Sequence, residues 1–412
     1  MTGTAKPFRE GARRACSPAE TWARLSPLLP VFGISRVANI TGLDRVGIPV
    51  FTACRPNSRS LSVFQGKGLT DAAARVSAVM EAYETWCAES IDLPLRFASH
   101  DEMRFTHALV DVDALPLATT AGLDPGRPFL WIEGRDLMAG GNQAARSVWL
   151  PYEMVHANYA LPEPPHAAAF PATTNGLASG NTSEEALLHG ILEVIERDAV
   201  TLWRLGPDAW HNRTAIQPET VDDSGCRWLL DRFAAAGINV AMFDATSDLG
   251  IPTFACLIDD PTGTTGAAEL GFGTHTAPDV ALARALSEAA QARATYIAGA
   301  REDIPDEDYA ADVRADRTAM ARGILDALEP ERAFGDVRSV ETASFEGDIG
   351  VTLQALDRAG IREVIAVEVG KKAFGLAVCR VVVPGLEAAF EGPRSEYVPG
   401  RRASALLTEA AA

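Results

Sequence analysis

Acidic side chains recur in this sequence at a spacing that suits a divalent cation and a chain of phosphates. In TDAAARVSAVMEAYE, Glu81 and Glu84 stand three residues apart; in SEEALLHGILEVIER, Glu193 and Glu196 do the same; in ALARALSEAAQAR, Glu288 and Gln291 repeat the step. Residues i and i+3 share one face of a helix. Glycines precede each stretch: Gly66 and Gly68 around Lys67, then Gly180, then Gly271 and Gly273. From glycine to first glutamate the count is 81 − 68 = 13 and 193 − 180 = 13, and 288 − 273 = 15 in the third copy, a two-residue insertion. The flanking residues are Val, Ala, Met, Tyr, Ile and Leu, so the helices read as largely buried. Like charges three apart on a buried helix repel unless a cation lies between them. Hard oxygen ligands beside glycine-bearing loops are what Mg2+ and a polyphosphate require. The plainer reading is a set of solvated helix faces; threefold recurrence weighs against it.

Other polar residues cluster near these stretches. Lys67, between two glycines, suits a phosphate-facing amine or a surface turn. Asn181 precedes the second helix, with Thr182 or Ser183 as N-cap and Glu185 in the first turn. Arg197 follows Glu196, and Arg284 lies four residues before Glu288; each can pair with a carboxylate or with a phosphate. His189 and His275 lie near the loops and are given no metal. The glycine patterns match neither GxxxxGK[ST] nor GxGxxG, and GxSxG, HExxH and the kinase signatures are missing. Phosphoryl chemistry organised by glutamate-held Mg2+ is the remaining reading.

At 412 residues the chain can bury a large core. A net charge of −18 argues against sequence-independent nucleic-acid binding and against docking on anionic membranes. The six cysteines, at 16, 54, 87, 226, 256 and 379, form no CxxC pair, which argues against zinc and against a disulfide framework. Neither a signal-type apolar region nor a membrane-length apolar run is present, so a cytoplasmic location is expected.

A helix is expected over residues 17–29, with Ser17 as N-cap and Pro18 at the first position. Strands are expected in SRVANIT, IPVFTAC, SLSVFQG, FLWIEGRDL, SVWLPYEMVHANY, INVAMFDA, IPTFACLID, AAELGFGTH, EVIAVEVG and LAVCRVVVPGL. The acidic helices span about residues 70–90, from Ser183 to about Trp203, and up to about Ala300; shorter helices fall at 226–236 and 352–359. LPEPPHAAAFPA reads as an exposed loop, and REDIPDEDYAADVRADR as an acidic, partly helical connector. These elements neither alternate as βαβ nor segregate, and no long linker divides them. The expected class is a single large α+β domain with mixed sheets.

Three blocks, RPNSRSLSVFQGKGLTDAAARVSAVMEAYE, NGLASGNTSEEALLHGILEVIERDA and GFGTHTAPDVALARALSEAAQAR, together resemble the YcaO domain, in order and across about residues 15–390. The resemblance implies an ATP- and Mg2+-dependent enzyme with a nucleotide fold of its own. It implies activation of peptide backbone amides, in which a nucleophile adds to the carbonyl and ATP phosphorylates the oxyanion. By position it implies that Glu81, Glu84, Glu193, Glu196 and Glu288 hold Mg2+ and that Asn181, Glu185, Arg197 and Arg284 contact ATP. Lys67 and Gln291 follow as further contacts, with Arg13 or Thr21 from the N-terminal segment. It assigns no separate catalytic residue. Azoline-forming members typically end in PxPxP; this chain ends EYVPGRRASALLTEAAA, and its VVVPGLE is similar to members that work with a TfuA protein in thioamidation. The expectation is therefore thioamide formation on a ribosomally made peptide or protein with a TfuA-like partner. The alternatives are an azoline-forming cyclodehydratase acting on Cys, Ser or Thr of a precursor peptide, and a nucleotide-binding scaffold or regulatory subunit without turnover. The expected layout is an N-terminal segment integral to the fold (1–57), a catalytic domain (58–390) and a C-terminal tail (391–412) whose last ten residues matter little. No nucleic acid or membrane is expected as partner, and a homodimer is compatible on symmetry grounds.

Overall fold

Short β-branched and aromatic runs alternate here with long Ala-rich helices, and the hairpins between neighbouring strands set the direction of the sheets. The computed structural model describes residues 3–118, 122–140, 146–160, 169–171, 173–207, 210–263, 268–388 and 398–410. The first part of the chain forms α1 (Pro18–Leu25), β1 (Arg36–Asn39), β2 (Val50–Cys54), β3 (Val63–Lys67), α2 (Asp71–Glu89), β4 (Leu95–Ala98), α3 (His100–Met103), β5 (Phe129–Asp136) and β6 (Arg146–Pro151). The middle forms β7 (Leu177–Gly180), α4 (Ser183–Leu205), α5 (Trp210–Thr214), α6 (Ser224–Ala235), β8 (Asn239–Asp244), β9 (Thr253–Asp259), β10 (Glu269–Thr274) and α7 (Pro278–Ala298). The remainder forms α8 (Ala311–Asp326), α9 (Phe345–Arg358), β11 (Ile365–Glu368), β12 (Ala377–Val382) and α10 (Arg401–Ala410). Most of the loop expected over LPEPPHAAAFPA, at 161–168 and 172, lies outside the described residues.

Strands β1–β2–β3 and β10–β9–β8 make two three-stranded sheets, and β4–β5–β11–β12–β7, with β6 on β5, makes the third. Together with the helices they make one α+β domain, as expected. The sheets expected to be mixed pair antiparallel between all the named strands described here; parallel pairing is confined to single bridges, Leu109 with Trp149 and Ile216 with Arg332. The reason is local: β1–β2–β3 and β8–β9–β10 run on through short connections, which permit only antiparallel neighbours.

The glycines correct one expectation. Gly66, Gly180, Gly271 and Gly273 are strand residues facing helix backbone rather than parts of a loop, whereas Gly68 follows its strand and lines the large cavity. Gly66 lies in β3, paired with Phe51. A Cβ there would stand 2.0 Å from Ala78 N and 2.3 Å from Ala74 O of α2. Gly271 lies in β10, where a Cβ would stand 2.2 Å from Ala289 N and 2.3 Å from Ala285 O of α7. Gly180, the last residue of β7, faces Ala186 of α4 in the same manner. Only a side chain without Cβ lets strand and helix backbones approach this closely. On the helix side the partners are small residues four apart, Ala74 and Ala78, then Ala186 and Gly190, then Ala281, Ala285 and Ala289. The first glutamate of each stretch follows one of them by three: 81 − 78, 193 − 190 and 288 − 285. The packing stripe thus fixes where each carboxylate points.

Ser17 caps α1 through a capping box with Glu20. Thr70 and Thr182 cap α2 and α4. The helices expected at 352–359 and in the acidic connector are longer than read, as α9 and α8 show. The six cysteines are free thiols. No described helix is long and apolar enough to cross a membrane.

The C-terminal tail is folded onto the domain. Helix α10 docks on α4: Arg402 Nε and Nη2 donate to the two oxygens of Asp198 at 2.9 and 3.1 Å. Glu387 accepts from Gly400 N and Ala403 N, both at 2.9 Å. The Asp198 side chain is fully buried, and Ala403 is 0% exposed, so the last ten residues include part of this clasp. Breaking a buried ion pair by removing one partner costs about 3–5 kcal/mol. Arg402→Ala is therefore expected to lower the unfolding free energy by about 3 kcal/mol, measured by urea denaturation; a change within about 0.5 kcal/mol, as for an exposed surface site, would show the clasp to be unimportant.

Candidate active site

One face each of α2, α4 and α7 meets around a cavity of about 970 Å³. Lys67, Glu81, Glu84, Asn181, Glu185, Glu193, Glu196, Arg197, Arg284, Glu288 and Gln291 all line it, as do Arg13 and Thr21. Residues spread over more than two hundred positions are brought to one place because the three strand–helix units present their glutamates in one direction.

Each first glutamate is pinned by a backbone N–H of its own strand segment. Glu81 accepts from Gln65 N at 2.9 Å, Glu193 from Gly176 N at 3.3 Å, and Glu288 from Phe272 N at 3.3 Å. Glu84 accepts from Ser179 N at 3.0 Å and from the Ser179 hydroxyl, which ties α2 to β7. Glu196 has a buried oxygen, Oε2, with no partner. Burial pushes the Glu84 carboxyl up to about 8, against its bonds to Ser179 and with the neighbouring Glu193 and Glu81 adding to the rise. Burial likewise pushes Glu196 up to about 7, opposed by Arg284 and assisted by Glu288. Glu81 and Glu193 are raised by burial as well. Glu288 is buried too, but the Lys67 ammonium holds it below the usual carboxylate range.

The basic residues divide. Lys67 Nζ, read as phosphate-facing, is bonded to Glu288 across β3 and α7. Arg284 does not pair with Glu288; its Nη1 lies 3.4 Å from His189 Nε2, and its Nε is buried without a partner. Burial and the Arg284 charge hold His189 well below the usual histidine range, so the neutral ring accepts that bond. Glu185 binds the N-terminal segment: it accepts from Arg14 Nη1 at 3.1 Å and from Ala15 N at 3.0 Å. Asn181 accepts from the Thr21 hydroxyl at 2.9 Å. Arg13 donates to Glu341 at 2.8 Å and Asp279 at 2.9 Å. Arg14, Ser179, Gln65 and Arg301 also line the cavity and were not singled out by sequence; their roles depend on strand pairing and on a distant segment, which spacing does not reveal.

The donor set fits Mg2+ carried by a polyphosphate. Among the described residues no three His, Cys, Asp or Glu side chains already form a metal cage. Mg2+ is usually held by one or two carboxylates and by substrate phosphates rather than by an all-protein cage. Hard carboxylates distributed around a cavity, one with an unpartnered buried oxygen, match that arrangement.

Raised carboxyls have a consequence for stability. The folded protein holds protons that the unfolded chain, with carboxyls near 4.3, releases. Unfolding then releases protons between about pH 5 and 8, so stability falls as pH rises through that window. Without Mg2+, the melting temperature is expected to fall between pH 6.5 and 8, above the range where buried histidines add an opposite slope. Glu84→Gln is expected to flatten the fall. Equal slopes in the two proteins, by differential scanning calorimetry in EDTA, would contradict the assignment.

A family model of YcaO cyclodehydratases, described as ATP- and Mg2+-binding, matches residues 65–387. An uncharacterized protein in the tfuA 3′ region of Rhizobium leguminosarum bv. trifolii is 36% identical over 390 residues, covering 92% of this chain and 90% of its own. Among solved structures, a heterocyclase in complex with substrate and cofactor superposes with a TM-score of 0.76 at 22% identity, over 97% of this chain and 55% of that one. The YcaO protein from Methanopyrus kandleri bound with AMPPCP and Mg2+ gives 0.72 at 24% identity, over 96% of this chain and 100% of that one. At these identities the structural likeness establishes the fold, a single large domain of helices and sheets. With the match of family model and rhizobial relative, the chain belongs to the YcaO family, whose cofactors are ATP and Mg2+.

Proposed function

We propose that this protein activates peptide backbone amides by ATP-dependent O-phosphorylation and that its product is a thioamide. The observation that carries the ATP site is the convergence of Glu81, Glu84, Glu193, Glu196 and Glu288 on one cavity that Arg13, Arg14, Lys67, Arg197 and Arg284 also line. The carboxylates are assigned to Mg2+, and Asn181, Arg197, Arg284 and Lys67 to the nucleotide. Glu185, whose oxygens hold Arg14 and Ala15, seats the N-terminal segment against the nucleotide rather than touching it alone. When bound, Mg2+ neutralises the triphosphate and orients it. The domain layout assigned above, residues 1–57, 58–390 and 391–412, belongs to this proposal, with α10 now an integral part of the fold.

In the proposed reaction hydrosulfide adds to the amide carbon, forming the C–S bond, and the carbonyl electron pair moves onto oxygen. That oxygen takes the γ-phosphoryl group as ADP leaves. The C–O bond then breaks, C=S forms, and the S–H proton ends on the released phosphate, so atoms and charge balance. The protein's own part is to bury the reacting amide away from water and to hold it in line with the phosphate.

The thioamide product is supported by the rhizobial relative's place in a tfuA region, which also supports a TfuA-like partner with a peptide or protein substrate. The heterocyclase with bound substrate favours the second reading, azoline formation on Cys, Ser or Thr of a precursor peptide. Mass spectrometry of the product separates them. Thioamide formation makes the peptide heavier by the difference between sulfur and oxygen and requires sulfide; loss of one water without sulfide would overturn the thioamide reading.

A further inference from the structure

Behind the carboxylate cluster lies a buried cation that the account so far leaves unused. Arg380, on β12 between β11 and β7 of the third sheet, is 1% exposed. Its Nη2 donates to Thr173 O at 2.7 Å, while Nε and Nη1 are buried without partners. Among the described residues no carboxylate forms an ion pair with it. A buried guanidinium satisfied by a single neutral carbonyl is costly unless something else meets its remaining N–H groups.

A cavity of about 20 Å³ adjoins it, lined by Arg380, Thr173, Asn175, Val194, Met154 and Glu387 among others, the Glu387 carboxylate being engaged by Gly400 N and Ala403 N. Asn175 Oδ1 is also buried without a partner. The cavity backs onto the main site, because alternate residues of two segments face the two spaces. Thr174 and Glu193 line the large cavity, and Thr173, Asn175 and Val194 the small one. Arg380 acts electrostatically on Glu193 and on Tyr159, both facing or lining the large cavity.

The space admits about one water-sized particle, too little for phosphate or a carboxylate. Its walls are mostly apolar, and a guanidinium is more weakly hydrated than an ammonium, so it suits a soft, weakly hydrated anion. We propose that Arg380 and Asn175 form a site for a small monoanion of halide or hydrosulfide size. Resting on the thioamide reading, hydrosulfide is the anion it stages beside the carboxylates. Hydrosulfide alone of the two brings both an acceptor for the guanidinium N–H and a donor for Asn175 Oδ1.

The test uses the full-length protein. Chloride NMR linewidth reports anion binding without turnover. Broadening is expected with the unmodified protein, reversal on adding sodium hydrosulfide, and loss in Arg380→Met and in Asn175→Ala, the second variant covering the case in which the first misfolds. With peptide, ATP and partner present, Arg380→Met is expected to raise the KM for sulfide by about tenfold or more, the loss of one charged hydrogen bond, and Asn175→Ala, which keeps the charge near Glu193, to raise it with Mg–nucleotide affinity unchanged. No broadening with the unmodified protein would mean the cavity holds water only and would overturn the site. Thioamide product with an unchanged sulfide KM in both variants would overturn the staging role and leave the thioamide reading standing. Chloride binding at Arg380 with an azoline product would leave the anion site standing and overturn the thioamide reading together with the hydrosulfide assignment.

Discussion

Replacing Glu193 and Glu196 together with glutamine is expected to lower Mg2+-dependent ATP turnover at least about a hundredfold while the protein stays folded. The magnitude is that of removing a dedicated electrostatic stabiliser of a transferring group. Glutamine keeps the shape and removes the charge. Glu193 retains an oxygen for Gly176 N, whose bond fixes the side chain. Glu196 has a buried oxygen with no partner, so neutralising it breaks no hydrogen bond there, although the attraction of Arg284 is lost. Burial already raises both carboxyls toward the protonated form. The double variant is therefore expected to be no less stable than the parent without Mg2+, and turnover and stability should separate. Full turnover in a folded double variant would remove these two residues from the site.

The second large effect is structural. Gly66→Ala and Gly271→Ala are each expected to destabilise the protein by about 3 kcal/mol or more. The new Cβ would meet backbone atoms at 2.0 and 2.2 Å, and neither α2 nor α7 can yield without moving its glutamates. Mg2+-dependent nucleotide affinity is expected to fall in the same variants, because Glu81 lies three residues beyond Ala78 and Glu288 directly precedes Ala289. Urea denaturation checks the first expectation; a loss below about 0.5 kcal/mol would show that the strand–helix approach does not depend on the missing Cβ.

That pair of glycines also shows how far the sequence could be read. The three acidic helices, their i, i+3 pairs and their burial are legible because period and composition are local properties. So is the capping of α1 by Ser17 and, between Thr182 and Ser183, of α4. What spacing cannot tell is whether a glycine before a helix turns toward an anion or packs against a helix backbone, since both need a missing Cβ. The deciding fact is the pairing of Gly66 with Phe51 and of Gly180 with Ala377, a tertiary matter. Strand β7 went unread because LASG neither alternates nor contains a long apolar run; it is a strand because β12 lies beside it. Helix α8 carries a single buried residue, Ala321, so it shows almost no amphipathic signal. Helix α10 is held by the pair between Arg402 and Asp198, two residues 204 positions apart. Of the residues that line the cavity, the carboxylates and Arg284 stand out in the sequence, whereas the engagement of Glu185 by Arg14 and of Lys67 by Glu288 depends on how distant segments fold together.

The central claim is a carboxylate-organised Mg–nucleotide site in the cavity between α2, α4 and α7. Calorimetric titration of the purified protein with a non-hydrolysable ATP analogue, with and without Mg2+, tests it most directly. The account predicts binding that requires Mg2+ in the parent protein and is lost in the Glu193→Gln/Glu196→Gln variant. Equal binding with and without Mg2+, or equal binding by the folded double variant, would contradict it.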